Sequence, residues 1–334
     1  MTEATRTPDL EDVRDAAQAL DGVARRTPVL TDQLLGEAIG VTVSVKAEFL
    51  QRGGAYKFRG IYNKIRLLSS QERSRGIVTV SSGNAGIAAA YAARLCGASC
   101  LVVMPAKPLE EKAIAIEAFG GQVLKHGTSS TDMFARAQEL VEEGKTFVHP
   151  FDQPEVIAGQ ATMALELVDQ VADFDVIVAP TGGGGMLAGI SVALRELKPN
   201  VQIIGVQPEG AAGIALSLKR GTVTELETVD TLADGLAVRR CGELTFNLIN
   251  RFVDDVLVVS DDEILAAVAI YWRVLHVAVE PAGAAALAAV LRYPRFEGQR
   301  IVVLASGANV DVNLLRHALD GGTAADWKQA TVDG

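Results

Sequence analysis

The stretch "DVIVAPTGGGGMLAGISVALREL", Asp175 to Leu197, decides how the chain is read. "DVIVAP" is a short apolar run rich in β-branched residues, the mark of a strand buried on both faces. "LAGISVALREL" returns to a helical period. Between them stand four consecutive glycines, Gly182 to Gly185. Four missing Cβ atoms let a ligand approach the peptide backbone closely. The helix that follows turns its unpaired N–H groups and its positive dipole end toward the same place. The stretch therefore reads as one strand–loop–helix unit of an α/β protein and as a cradle for a phosphate. No GK[ST] follows, and the spacing is not GxGxxG with an acidic residue further on, so neither common nucleotide motif applies. A flexible turn is the plain alternative, but a turn needs one or two glycines, and ordering four costs chain entropy.

The same alternation extends in both directions. Upstream, "GIVTV" (Gly76–Val80), "CLVVMP" (Cys100–Pro105), "QVLKHG" and "KTFVHP" read as strands. The turn "SSGNAG" with the helix "IAAAYAARL", then "LEEKAIAIEAFGG", then a helix with Met133, Phe134, Ala137, Leu140 and Val141 on one face, fill the gaps. Downstream of Pro150, "PEVIAGQATMALELVDQV" opens with a proline in its first turn. "QIIGVQP", "DDVLVVS", a helix from Asp262 and "RIVVLASGANVD" continue the pattern. The expected architecture is α/β, with two doubly wound lobes and a cleft between them. Residues 69–149 would form the smaller lobe, and 1–68 with 150–334 the larger, since the apolar face of "DLEDVRDAAQALDGVARRTPVL" needs a core to cover. Ligands of such sheets sit at the carboxyl ends of the strands.

Three further segments carry chemistry. "GGAYKFRG" (Gly53–Gly60) sets Lys57 among Tyr56, Phe58 and Arg59, behind a glycine doublet. Either the lysine stem packs, or its amine serves as a nucleophile. "SSGNAG" (Ser81–Gly86) opens a helix, with Ser82 or Asn84 as an ordinary N-cap or with its amides free for an anion. "ASGANVD" (Ala305–Asp311) presents Ser306 at a strand end, as a cap or as a ligand contact. A lysine able to form an imine, a phosphate cradle and two hydroxyl or amide loops suit one ligand with an aldehyde, a phosphate and a polar ring. Pyridoxal 5′-phosphate meets that description.

Composition narrows the field. The chain has 334 residues, 31 basic and 41 acidic, for a net charge of −10, which argues against a nucleic-acid partner. Cys96, Cys100 and Cys241 are sparse and odd in number, so a reduced, cytoplasmic setting is expected rather than a disulfide scaffold. His126, His149, His276 and His317 share no spacing, and no metal constellation is expected. "MTEATRTPDLEDVRD" lacks the pattern of a signal peptide, and no apolar run reaches membrane-spanning length. Trp272 is expected to pack, and Trp327 to lie in a mobile polar tail.

Taken in order, the segments resemble the fold-type II pyridoxal-phosphate enzymes, specifically the serine/threonine dehydratase (ammonia-lyase) and serine racemase group, whose architecture is like that of tryptophan synthase β. "RRTPVL" looks like the family's early RTP segment, and "GAYKFRG" is similar to its lysine motif. "SSGNAG", "FGGQVLKHG", "PFDQPEVIAGQATMALEL", "TGGGGMLAG", "TLADGLAV", "VEPAGAAALAA" and "SGANVD" follow in family order. The resemblance implies that Lys57 is the Schiff-base lysine and the α-proton base, with Phe58 or Tyr56 beside the ring. It implies Asn84 on the phenolic oxygen, Ser306 on the ring nitrogen, and backbone N–H groups of Gly182, Gly183, Gly184, Gly185 and Met186 on the phosphate. Gly235 and Glu280 match positions lining the cofactor. Ser81, Ser82, Asn84 and Ala85 would hold the substrate carboxylate, with Ser82 also matching the opposite-face acid of racemases. A mobile small lobe, a homodimer and a small amino-acid substrate complete the implication.

Departures from the family pattern shape the expected activity. Ala55 and Ala85 stand where bulkier residues are common, leaving room for a larger side chain. In "VQPEGAAG", Gln207 and Gly213 occupy the places of the acidic ligands that some members use for a divalent metal, so no such site is expected. The chain ends at 334, which speaks against a C-terminal regulatory domain. A serine on the ring nitrogen makes the ring a weaker electron sink, which suits prompt loss of a β-hydroxyl. The leading expectation is dehydration and deamination of a β-hydroxy amino acid such as L-serine or L-threonine. Racemisation or β-replacement on the same cofactor is the alternative, and a non-catalytic nucleotide or amino-acid binder is the reading from a different class.

Overall fold

A computed structural model describes residues 6–333; the opening Met1–Thr5 and Gly334 lie outside the described residues. Ten strands are present among the described residues: β1 (Val29–Thr31), β2 (Thr42–Ala47), β3 (Ile77–Val80), β4 (Cys100–Met104), β5 (Gln122–Lys125), β6 (Thr146–Phe147), β7 (Val176–Pro180), β8 (Gln202–Pro208), β9 (Asp255–Val259) and β10 (Arg300–Ala305). They form two sheets, one ordered β1-β2-β10-β7-β8-β9 and one ordered β5-β4-β3-β6. All pairings are parallel except β1 with β2. Parallel strands need crossover helices, and these cover both faces of each sheet.

The two-residue period of the strands divides the core. Val176, Val178, Ile204, Val206, Ile301 and Val303 point into one apolar cluster, while Ile177, Ala179, Ile203, Val302 and Leu304 point into another on the opposite face. The smaller sheet does the same, with Ile77, Val102 and Met104 on one side and Val78, Val80 and Val103 on the other. The N-terminal helix Leu10–Leu20 places Leu10 and Val13 in a core of the six-stranded sheet. The architecture is the doubly wound α/β pair of lobes that the alternation predicts. No helix among the described residues is long and apolar enough to cross a membrane.

Several local expectations change. β1 and β2 are not among the segments picked out from the sequence, because "VTVSVKA" carries Ser44 and Lys46 within a central strand. Lys46 is nonetheless fully buried, its amine held by Glu166, by Gln170 and by the carbonyl of Thr27. The "KTFVHP" strand shrinks to Thr146–Phe147, since its second half turns away toward the cleft. Trp272 is 45% exposed rather than packed. Trp327 lies not in a loose tail but on the helix Ala324–Asp333, its ring 5.5 Å from that of His317.

Strand ends position the site. β2, β3, β7 and β10 run parallel within their sheets, so the segments that follow them, Glu48–Lys57, Ser81–Asn84, Thr181–Gly185 and Ser306–Asn309, converge on the carboxyl side.

Candidate active site

Lys57 is the first residue of the helix Lys57–Arg66, and the backbone leading to it is pinned to β10. Tyr56 N–H donates to the Ser306 carbonyl at 3.0 Å, and Ala55 forms a β-bridge with Gly307. Gly53 and Gly54 adopt φ of 71° and 75°, which a side chain would strain. Below the helix, the guanidinium of Arg59 spans two carboxylates, donating to Glu48 at 2.8 and 2.9 Å and to Glu166 at 2.6 and 2.9 Å. Thr27 Oγ1 donates to Glu48 at 2.5 Å, and the Arg25 carbonyl accepts from Arg59 at 3.2 Å. The "RRTP" segment is thus part of a buried ionic anchor beneath the lysine.

The amine of Lys57 donates to the Pro150 carbonyl at 3.0 Å and stands 5.3 Å from the Tyr56 ring and 5.8 Å from the Phe151 ring. Burial pushes its pKa down to about 8. The side chain keeps some exposure because it stands on the floor of an open cleft of about 540 Å³. His149 shapes the Pro150 turn: its Nδ1 accepts from the N–H groups of Phe151 (3.2 Å) and Asp152 (2.9 Å). Burial, helped by the charge of Lys57, lowers the His149 pKa to about 3, so the ring is neutral.

The glycine loop forms a recess beside the amine, sharing Tyr56, Lys57 and Phe151 with it. A Cβ on Gly183 would lie 2.5 Å from the Phe151 ring, one on Gly185 2.6 Å from the Phe151 carbonyl, and Gly184 has φ of 95°. Met186 is buried in the first turn of the helix Gly185–Leu197. Thr245 ties the loop down, its hydroxyl donating to the Gly183 carbonyl at 2.9 Å while its N–H donates to Asp152 at 2.9 Å.

Across the cleft, the helix of the "SSGNAG" segment starts at Asn84, three residues earlier than the sequence suggests. Gly83 is its N-cap, and no side chain caps it. Neither Ser82 nor Asn84 plays the capping role. Ser81 Oγ instead accepts from Gly83 N–H at 3.0 Å, Ser82 is exposed, and Ala85 is buried on the cleft wall. Asn84 Nδ2 donates to Glu280 Oε1 at 2.5 Å, and burial pushes the Glu280 carboxyl upward. Ser306 and Gly235 line the same cleft.

Two expectations are corrected. Phe58 does not border the cleft: one residue further round the helix than Lys57, it is fully buried against Tyr62 (5.7 Å) and Tyr91 (5.3 Å). Tyr56 and Phe151 take the place beside the amine. Ala55 is buried, pairs through its backbone with Gly307 and does not line the cleft, so it opens no space for substrate. Phe151, His149, Asn309 and Lys112 are the site residues that sequence reasoning missed. Lys112, from the smaller sheet's helix Glu110–Ala118, crosses to an ion pair with Asp234 of the other lobe.

A partly buried amine with a lowered pKa, an adjoining recess lined by four glycines, and a buried carboxylate with one oxygen lacking a partner suit an aldehyde-bearing phosphate ester with a polar ring. The family model for pyridoxal-phosphate dependent enzymes matches residues 20–307. The chain belongs to that family. It is similar to L-threonine ammonia-lyase of Thermotoga maritima, 37% identical over 97% of this chain and 81% of the relative. It is also similar to serine racemase of Schizosaccharomyces pombe, 35% identical over 93% of this chain and 97% of the relative. Maize serine racemase superposes with a TM-score of 0.89, at 32% identity, over 98% of this chain and 99% of that one. The fold is therefore that of the fold-type II pyridoxal-phosphate enzymes, the cofactor is pyridoxal 5′-phosphate, and the relatives include lyases and racemases.

Gln207 Oε1 accepts from the N–H groups of Ile214 and Ala215, both at 2.9 Å, and so closes a helix start.

Proposed function

We propose that this enzyme is an ammonia-lyase that converts a β-hydroxy amino acid, such as L-serine or L-threonine, to a 2-oxo acid and ammonia. The observation that carries the reading is the shared recess of the Lys57 amine and the Gly182–Gly185 amides, with Phe151 against both. Bound there, pyridoxal phosphate supplies an aldehyde for amine exchange and a ring that accepts the electron pair of the breaking Cα–H bond.

The chain's own groups do the rest. The Lys57 amine, neutral over much of the range above about pH 8, takes the α-proton. The Pro150 carbonyl accepts from that amine at 3.0 Å and so sets it beside the glycine loop. Backbone N–H groups of Gly182 to Met186 hold the phosphate, and Ser306 meets the ring nitrogen. The uncapped start of the helix Asn84–Leu95, with Ser81, Ser82 and Ala85, takes the substrate carboxylate at a positive helix end. Loss of the α-proton and the β-hydroxide is net loss of water. Hydrolysis of the remaining C–N bond then yields the 2-oxo acid and ammonia. The lobe of residues 69–149 is assigned the motion that admits substrate, because Ser129, Ser130 and Phe134 form its wall of the cleft.

One observation favours a second activity. Ser82 is exposed to the cleft rather than spent on a helix cap, so its hydroxyl is free to serve as the second proton carrier that racemisation requires. Incubating the holoenzyme with L-serine, L-threonine and their D-isomers separates the two. The lyase reading expects 2-oxo acid and ammonia in equal amounts. Appearance of the enantiomer without 2-oxo acid would overturn it.

A further inference from the structure

Asn84 is gripped at both ends of its side chain. Its Oδ1 accepts from Asn309 Nδ2 at 2.8 Å, and that same amide donates to the Gly53 carbonyl at 2.9 Å. Its Nδ2 donates to Glu280 Oε1 at 2.5 Å. A carboxamide can be turned by 180° without changing shape, and only its neighbours decide which end is which. Here a turned Asn84 would set its oxygen against the Glu280 carboxylate and its NH₂ against that of Asn309. Both contacts would be repulsive, so the amide has a single orientation. One Nδ2–H is spent on Glu280, and the second N–H is left over.

Glu280 is built into this place rather than left there. It is 1% exposed and precedes the helix Pro281–Arg292, but its carboxylate does not cap that helix. Its backbone N–H donates to the Gly307 carbonyl at 3.0 Å. A Cβ on Gly307 would collide with the carboxylate and come within 3.2 Å of Asn84 Nδ2, so the glycine makes room for the pair. Oε2 of Glu280 is buried without a hydrogen-bond partner. The titratable groups facing it are Lys112 and Asp234, which are paired with each other, and the Tyr56 hydroxyl, which burial keeps neutral. Glu280 and Asn84 both line the cleft.

We propose that Glu280 is a positioning residue that fixes the Asn84 carboxamide so that its remaining N–H faces the cofactor's phenolic oxygen. The inference rests on the reading above, in which Asn84 serves that oxygen. An N–H donor favours the ionised form of the oxygen, so losing its alignment raises the pH at which the bound cofactor changes its visible absorbance. Without Glu280, the Asn309 contact alone opposes rotation of the amide, so the donor faces that oxygen for a smaller share of the time.

The test uses the holoenzyme variants Glu280→Ala, Glu280→Gln, Asn84→Ala and the double variant Asn84→Ala/Glu280→Ala. Their visible spectra are recorded against pH, and pyridoxal phosphate affinity is measured by fluorescence titration. Circular dichroism verifies the fold. The expected result is that Glu280→Ala moves the spectral midpoint upward, as Asn84→Ala does, and weakens cofactor binding about tenfold, the scale of one buried hydrogen bond. The double variant should add nothing to Asn84→Ala. Glu280→Gln, whose carbonyl can still accept from Asn84, should keep a midpoint near that of the parent. A normal midpoint in Glu280→Ala while Asn84→Ala shifts, or additive effects, would overturn the positioning role. So would failure of Glu280→Gln to restore the spectrum, which would assign the effect to the carboxylate's charge. A midpoint unmoved in Asn84→Ala would overturn the underlying placement of Asn84 as well.

Discussion

The Lys57 amine and the Pro150 carbonyl lie 3.0 Å apart, although 93 residues separate them in the chain. The carbonyl is presented by a turn that neutral His149 holds from inside through two backbone N–H groups. His149→Leu removes that acceptor at similar bulk and leaves two partly buried amides to find water instead, a loss of about 1 kcal/mol or more. The expected outcome is a soluble protein whose affinity for pyridoxal phosphate falls at least tenfold by fluorescence titration. Unchanged affinity would separate the turn from the site.

The lowered pKa of Lys57 sets a pH dependence. An amine must lose its proton before it attacks an aldehyde, and its neutral fraction grows as pH rises through its pKa. Capture of pyridoxal phosphate by the apoenzyme, followed by stopped-flow absorbance, should therefore accelerate up to about pH 8 and then level off. An ordinary lysine would go on accelerating beyond pH 10. Continued acceleration past pH 9 would mean that the apolar walls do not tune this amine.

The glycine loop is tested by adding single methyl groups. Gly183→Ala puts a carbon 2.5 Å from the Phe151 ring, and Gly184→Ala forces a side chain onto φ of 95°. Both should weaken cofactor binding by about tenfold or more, since strain of this kind costs on the order of 1–3 kcal/mol. A helix-surface control, Ser70→Ala, should not. Isothermal titration with pyridoxal phosphate reads all three.

Much of this was legible in the sequence, for a physical reason. A lysine behind a glycine doublet and four glycines at a strand end are local patterns, and each depends on backbone geometry that few residues permit. Continuous apolar runs and the 3.6-residue period sufficed for the lobes because the strands are buried on both faces. Phe58 was misplaced because one step along a helix turns a side chain by about 100°, a phase that neighbouring letters do not reveal. His149, Asn309 and Lys112 escaped notice because their roles are long-range. The partners of Asn309 and Lys112 lie 225 and 122 residues away, and nothing in the local pattern marks a histidine as a turn-holder.

The anchor beneath the lysine should dominate stability. Arg59→Met leaves Glu48 buried without its ion-pair partner, while Glu166 keeps Lys46. Breaking a buried pair in this way costs about 3–5 kcal/mol. Urea unfolding should show that loss. The exposed pair of Arg300 with Asp175 offers the contrast, and Arg300→Ala should leave the midpoint nearly unchanged. Equal effects would deny the network its role.

The most direct measurement is the site of covalent attachment. The holoenzyme is treated with borohydride, digested, and read by mass spectrometry. A phosphopyridoxyl group on the peptide that contains Lys57, with the visible absorbance absent in Lys57→Ala, is the expected result. Label on any other lysine, or full absorbance in Lys57→Ala, would contradict the account.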